Sequence, residues 1–130
     1  MASLTKILML LSLVVSFMCM MSNAASDRPV KHVNIINKIG KDFIMRCQSK
    51  DDDLGERVLH NEETFSFSFR TAVFKRTLFF CRFTWDGQLH WFDIYDAGRD
   101  GCNDCTWSIL PNGPCLAATR LNHAICYQYH

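Results

Sequence analysis

Beyond its first two dozen residues this chain has no apolar run long enough to cross a bilayer, no surplus of charge and no stretch of helical periodicity. Each absence closes off a class of protein. A spanning helix takes roughly 17–25 apolar residues, and no second run approaches that length. Basic and acidic side chains number 14 and 13 over the whole sequence. That balance gives no electrostatic reason to expect nucleic acid or an anionic lipid surface as a partner. No linker, low-complexity tract or internal repeat divides the chain, so one domain is expected. No Asn-x-Ser/Thr acceptor occurs, and the variant Asn103-Asp104-Cys105 ends in a cysteine expected to be bridged. A protein without N-glycans follows.

What the first residues do hold is a leader. Lys6 is followed by the uncharged run ILMLLSLVVSFMCMM and then by the small residues SNAAS, the parts of a secretory signal peptide. Ser22 and Ala24 suit the −3 and −1 positions, which predicts cleavage after Ala24, with Ala25 the neighbouring option. The rival is an uncleaved anchor, but the run lies near the lower limit for spanning and a cleavage site directly follows it. Residues 25–130 are then a single secreted domain in the extracellular space, with no membrane insertion. Losing Lys6 leaves thirteen basic side chains against 13 acidic ones.

Of seven cysteines, Cys19 falls in the leader. Cys47, Cys81, Cys102, Cys105, Cys115 and Cys126 remain, an even set that in an oxidising compartment reads as three disulfides of roughly 2–4 kcal/mol each. Six cysteines allow 15 pairings, and the sequence does not choose among them. Cys102-Asn-Asp-Cys105 also has zinc-ligand spacing. No second CxxC and no paired histidines complete a zinc set, so neither a metal nor a cofactor is expected.

The remaining pattern is that of strands. Val33 and Ile35 alternate with Asn34, and Phe43, Met45 and Cys47 share one face. TFSFSFR sets Phe65, Phe67 and Phe69 against Ser66 and Ser68, while TLFFCRFTW places Phe79, Cys81, Phe83 and Trp85 opposite Arg82 and Thr84. After the turn DGQ, LHWFDIYD reads as a hairpin partner. CTWSI puts Cys105, Trp107 and Ile109 together before the turn PNGP, and AICYQY closes the chain. Short strands separated by turn-rich loops predict an all-β, disulfide-stapled antiparallel sandwich of about seven or eight strands.

In that order the blocks VNIINKIG (33–40), RCQSKDDDLG (46–55), TLFFCRFTW (77–85), FDIYDAGRD (92–100), CNDCTWSILPNGPC (102–115) and CYQY (126–129) resemble the plant self-incompatibility protein S1 family, the S-protein homologues. The resemblance spans nearly all of the chain after the leader. Arg46 stands where the family commonly has histidine. The resemblance implies a small secreted β-sandwich acting as an extracellular ligand. Its founding members look like stigma-secreted determinants that engage a pollen membrane receptor, while most members serve other signalling or defence roles.

The residues give little support to catalysis. No nucleophile-elbow motif occurs, and His32, His60, His90, His123 and His130 are scattered rather than paired as a ribonuclease needs. Asp93 and Asp96, three apart on one strand, are expected on opposite faces and so unable to serve one glycosidic bond. Asp93 shares the face of Trp91 and Tyr95 and is read as a structural anchor. Asp51-Asp52-Asp53 fails the calcium-loop pattern, since glycine falls at position five instead of six; a looser calcium site is the alternative. The plainer expectation is a turn in which aspartates accept amide hydrogen bonds and Gly55 adopts a positive φ.

Recognition is then left to loops 50–57, 60–63, 86–90, 97–104 and 111–114. The candidate receptor-contact residues are Lys50, Asp51, Asp52, Asp53, Glu56, Arg57, Asp86, Gln88, Arg99, Asp100, Asn103 and Asp104. A monomeric, non-enzymatic ligand of a membrane receptor protein is expected. A secreted defence effector and a carbohydrate-binding module are the alternatives. Exposure of Trp91 or Tyr95 favours the carbohydrate module, and burial favours the ligand.

Overall fold

The computed structural model describes residues 3–26, 28–118 and 123–130. Helix α1 (Leu4–Ser26) precedes nine strands: β1 (Val30–Asn37), β2 (Phe43–Gln48), β3 (Asp53–Leu59), β4 (Thr64–Arg70), β5 (Leu78–Trp85), β6 (Gln88–Asp96), β7 (Asp104–Leu110), β8 (Gly113–Leu116) and β9 (Ile125–Cys126). Among the described residues no helix is long and apolar enough to cross a membrane. The strands form two sheets, ordered β4-β1-β7-β8-β9 and β3-β2-β5-β6.

The core lies between them and is built from the alternating sets. Val33 and Ile35 of β1 and Cys105, Trp107 and Ile109 of β7 meet Phe43, Met45 and Cys47 of β2, Phe79, Cys81 and Phe83 of β5, and Phe92 and Ile94 of β6. One residue of each pair points inward because successive strand side chains alternate. Phe65, Phe67 and Phe69 of β4 are half-buried against this core, with adjacent rings 6.0 and 5.9 Å apart. Asn37 ends the inward row of β1 fully buried. Its side-chain amide donates to the carbonyls of Leu59 (2.8 Å) and Lys41 (2.9 Å) and accepts from the Ile39 amide (3.0 Å). A buried amide so satisfied ties the start of the β1–β2 connection to the end of β3.

The cysteines pair as Cys47–Cys81, Cys102–Cys105 and Cys115–Cys126, so the CxxC pair is a bond within the chain rather than half of a zinc set. Cys47–Cys81 joins directly opposed residues of β2 and β5, and Cys115–Cys126 does the same for β8 and β9.

Several features depart from the expectations. Among the described residues the strands number nine, the last of only two residues, against the about seven or eight expected. The stretch 50–57 is loop only as far as Asp52, because Asp53 opens β3, and 111–114 gives up its second half to β8. Strand β3 is an exposed edge interrupted by Gly55 at φ 83°, so no apolar alternation marks it. Pairing of β1 with β7 is parallel, between segments some seventy residues apart, whereas every other pair among the described residues is antiparallel. Finally, the β5–β6 ladder shifts register between Phe79 and Phe80, so that Phe80 faces Asp93 but Phe79 faces Tyr95. This bulge in β6 resets its alternation. Trp91 and Asp93 lie on the outer face, Tyr95 turns inward, and Asp96, opposite Leu78, falls on the side of Asp93 rather than opposite it.

Candidate functional site

Strand directions sort the loops into two poles. At the first, which we call the near pole, lie 38–42, 60–63, 86–87 and 111–112; at the far pole lie 49–52, 71–77 and 97–103. The predicted contact residues are thereby divided rather than gathered.

The near pole is laced by exposed ion pairs: Lys38 with Glu62, Lys41 with Asp86 at 2.6 Å, and His60 with Asp42 at 3.1 Å. The Asp42 carboxylate raises the pKa of the His60 imidazole. Asp86 takes the positive φ of the β5–β6 turn, and Gln88 opens β6 opposite Trp85. No second histidine joins His60. His90 instead stacks on Trp85 with centroids 3.9 Å apart.

At the far pole the aspartate run behaves as a turn. The Ser49 amide donates to the Asp52 carbonyl (2.7 Å) and the Asp52 amide to Ser49 Oγ (3.0 Å). Asp53 accepts from the Gly55 amide at 2.9 Å and pairs with Arg46, while Asp51 pairs with Lys75. These partners hold both carboxylates below the usual carboxylate range. Arg46 is therefore the cation that fixes the first residue of β3. Lys50 is exposed beside them, and Glu56 and Arg57 sit on β3 itself, with the Arg57 guanidinium 3.8 Å over the Phe65 ring. Asn103 accepts from Lys31, and Asp104 from Asn34 at 2.6 Å.

In the expected loop 97–104, Asp100 is buried and Arg99 is half-buried, its side chain 23% exposed. The Asp100 side chain is 2% exposed. It accepts from the Asp96 amide (2.9 Å), Arg99 Nε (2.7 Å) and the Arg99 terminal nitrogen (2.8 Å). The guanidinium of Arg99 lies 4.9, 5.3 and 5.1 Å from the ring centroids of Phe92, Trp107 and Tyr127, a desolvated cation over aromatic faces. Asp96 accepts from Arg76 Nε at 2.5 Å and from the Gly98 amide at 2.9 Å. The Arg76 hydrogen bond lowers its pKa. The anchoring carboxylates are thus Asp96 and Asp100, not Asp93. Asp93 and Asp96 share a side after all, but Asp96 is clamped in its ionised form, the reverse of what a glycosidic general acid needs.

Between the aspartate turn and the 71–77 segment is a cleft of about 310 Å³, lined among others by Ser49, Asp51, Phe69, Lys75 and Leu78. Beside it Phe74 is 99% exposed and Val73 63%. The loop proposals missed this segment, although AVF between polar neighbours, outside any alternating run, was the available signal. Tyr95 is 1% exposed and Trp91 40%, so the two aromatics give opposite answers on a carbohydrate face.

Residues 32–129 match the family model for plant self-incompatibility protein S1. S-protein homolog 3 of Arabidopsis thaliana is 43% identical over 110 residues, covering 77% of this chain and 73% of the relative. S-protein homolog 29 of the same plant is 33% identical over 117 residues, 87% of each chain. A solved structure of an SPH (self-incompatibility protein homologue), described as one of a widespread family of small, highly stable, secreted proteins from plants, superposes with a TM-score of 0.59 at 14% identity. The match covers 81% of this chain and 98% of that one, and shows that the fold is shared.

Proposed function

Because the chain belongs to the plant self-incompatibility protein S1 family, we propose that it is a secreted, monomeric, non-enzymatic ligand recognised at its far pole by a cell-surface receptor protein. Secretion rests on the Lys6-led leader with cleavage after Ala24, and on the description of the SPH fold relative as secreted. The observation that carries the receptor reading is the solvent-borne Phe74 with Val73, set beside a charged turn and a cleft on a disulfide-stapled frame. A large aromatic that touches nothing in its own chain costs solubility without stabilising the fold, and aromatic anchors dominate binding energy at protein interfaces. A rigid frame loses less ordering entropy on association. The chemistry of the pole agrees, since its carboxylates are paired with cations rather than poised for proton transfer.

Binding of labelled protein to intact plant cells tests this reading. Phe74→Ala is expected to weaken saturable binding at least about tenfold with an unchanged melting temperature. Asp86→Lys at the near pole is expected to leave binding intact. Equal losses from both, or from neither, would remove the far pole as the recognition site. Intact mass of secreted material checks that the chain begins at Ala25 and bears no hexose.

A further inference from the structure

The ladder registers set side chains on the outer face of the β3-β2-β5-β6 sheet in rows. One row is Val58, Ile44, Thr84 and Leu89; the next is Glu56, Arg46, Arg82 and Trp91. The first leaves apolar surface in water, with Val58 51%, Ile44 43% and Leu89 58% exposed, and Trp91 adds an indole at 40%. Toward β6 this face dips into an open trough of about 560 Å³ lined by Leu78, Phe80, Arg82, Leu89, Trp91 and Asp93. That volume is of the order of small-ligand sites, roughly 300–1,000 Å³.

Two charges at the trough act on their neighbours only through space, Arg82 on Asp53 and Asp93 on Arg76. Among the described residues neither the Arg82 guanidinium nor the Asp93 carboxylate forms an ion pair or a side-chain hydrogen bond; Arg82 only rests 6.0 Å from the Phe80 ring centroid. The contrast with Arg46, Arg76 and Arg99, each paired with an aspartate, is plain. We propose that this trough is a binding site for a neutral glycan, whose pyranose ring lies on the Trp91 indole while its hydroxyls donate to Asp93 and accept from Arg82.

Charge complementarity selects the ligand class. An anionic ligand gains at Arg82 and loses at Asp93, and a cationic one does the reverse. A neutral polyol satisfies both, because each hydroxyl donates and accepts, and the apolar face of a pyranose suits the flat, amphipathic indole. A peptide adding itself as a strand is blocked at this edge. The Trp91 carbonyl already accepts from the His130 amide at 3.0 Å, and the Asp93 carbonyl accepts from Arg99 at 2.7 Å. The rows cross four strands at spacings of about 4.8 Å, giving a lane of roughly 14 Å, so a linear oligosaccharide fits better than one sugar. This site uses no far-pole residue and stands whether or not a receptor binds there.

Cellohexaose and mannohexaose are titrated into the secreted protein, following tryptophan emission. Trp107 is fully buried and Trp85 half-buried, so a surface ligand reports through Trp91. At least one hexasaccharide is expected to saturate. Trp91→Ala is expected to abolish binding, and Asp93→Asn and Arg82→Gln each to weaken it about fivefold or more; the melting temperature is expected unchanged for the two polar variants and only slightly lower for Trp91→Ala, whose indole also packs on the His130 ring at 4.3 Å. Saturation by neither sugar, or binding that survives Trp91→Ala, overturns the proposal. So does a wild-type dimer that Trp91→Ala converts to monomer, since the face is then occupied by a second copy of the chain.

Discussion

The two poles of the sandwich carry similar letters and use them differently. At the near pole Lys41 and Asp86 meet in water, 52% and 63% exposed. There the backbone is fastened by a neutral group, the buried amide of Asn37. At the far pole the fastening is ionic: Asp100 is enclosed beneath Arg99, and Asp96 is clamped by Arg76. The difference lies in desolvation. A charge pair in water is nearly neutral in its effect on folding, whereas an enclosed carboxylate holds its surroundings because no solvent can replace its partners. The far pole can therefore display an unsupported Phe74 on a segment whose base is tied by Arg76, while the near pole displays only solvated charge.

The largest effect that should break this contrast is Asp100→Ala. It strands the Arg99 cation over three rings and leaves the Asp96 amide unpaired, at an expected cost of about 3–4 kcal/mol in urea unfolding. Next comes acid. The pKa of Asp96 is lowered in the folded state, so its contribution is fully present above the unfolded value of about 3.9 and is lost as pH falls through the lower folded value. Asp96→Asn should cost about 1–3 kcal/mol at neutral pH and flatten the loss of stability below about pH 4; an unaltered acid slope would show that the clamp contributes nothing. The smallest effect belongs to Lys41→Ala, expected within about 0.5 kcal/mol. A loss comparable to that of Asp100→Ala would erase the distinction between the poles.

Much of this architecture is written in alternation. The inward rows of β1, β2, β5 and β7 follow directly from period-two patterning, and the Ser49–Asp52 turn and the positive φ of Gly55 follow from side-chain chemistry. What escaped was non-local or parity-breaking. Strand β3 is an edge without an apolar face, and the parallel β1–β7 pair depends on which distant strands meet. The β6 bulge inverts the orientation of everything beyond Asp93, so strict alternation puts Tyr95 and Asp96 on the wrong sides. Burial of Arg99 and Asp100 was equally illegible, because a polar Gly-Arg-Asp-Gly stretch reads as solvent until the aromatic surface of Phe92, Trp107 and Tyr127 is placed beneath it.

The Cys47–Cys81 bond joins opposed residues of the two central strands of its sheet. A strand that slips by one residue turns its entire apolar set outward. With that bond in place, the β2–β5 ladder cannot re-form out of step after heat or drying has melted everything around it. Whatever else unfolds, the molecule retains a memory of which side is in.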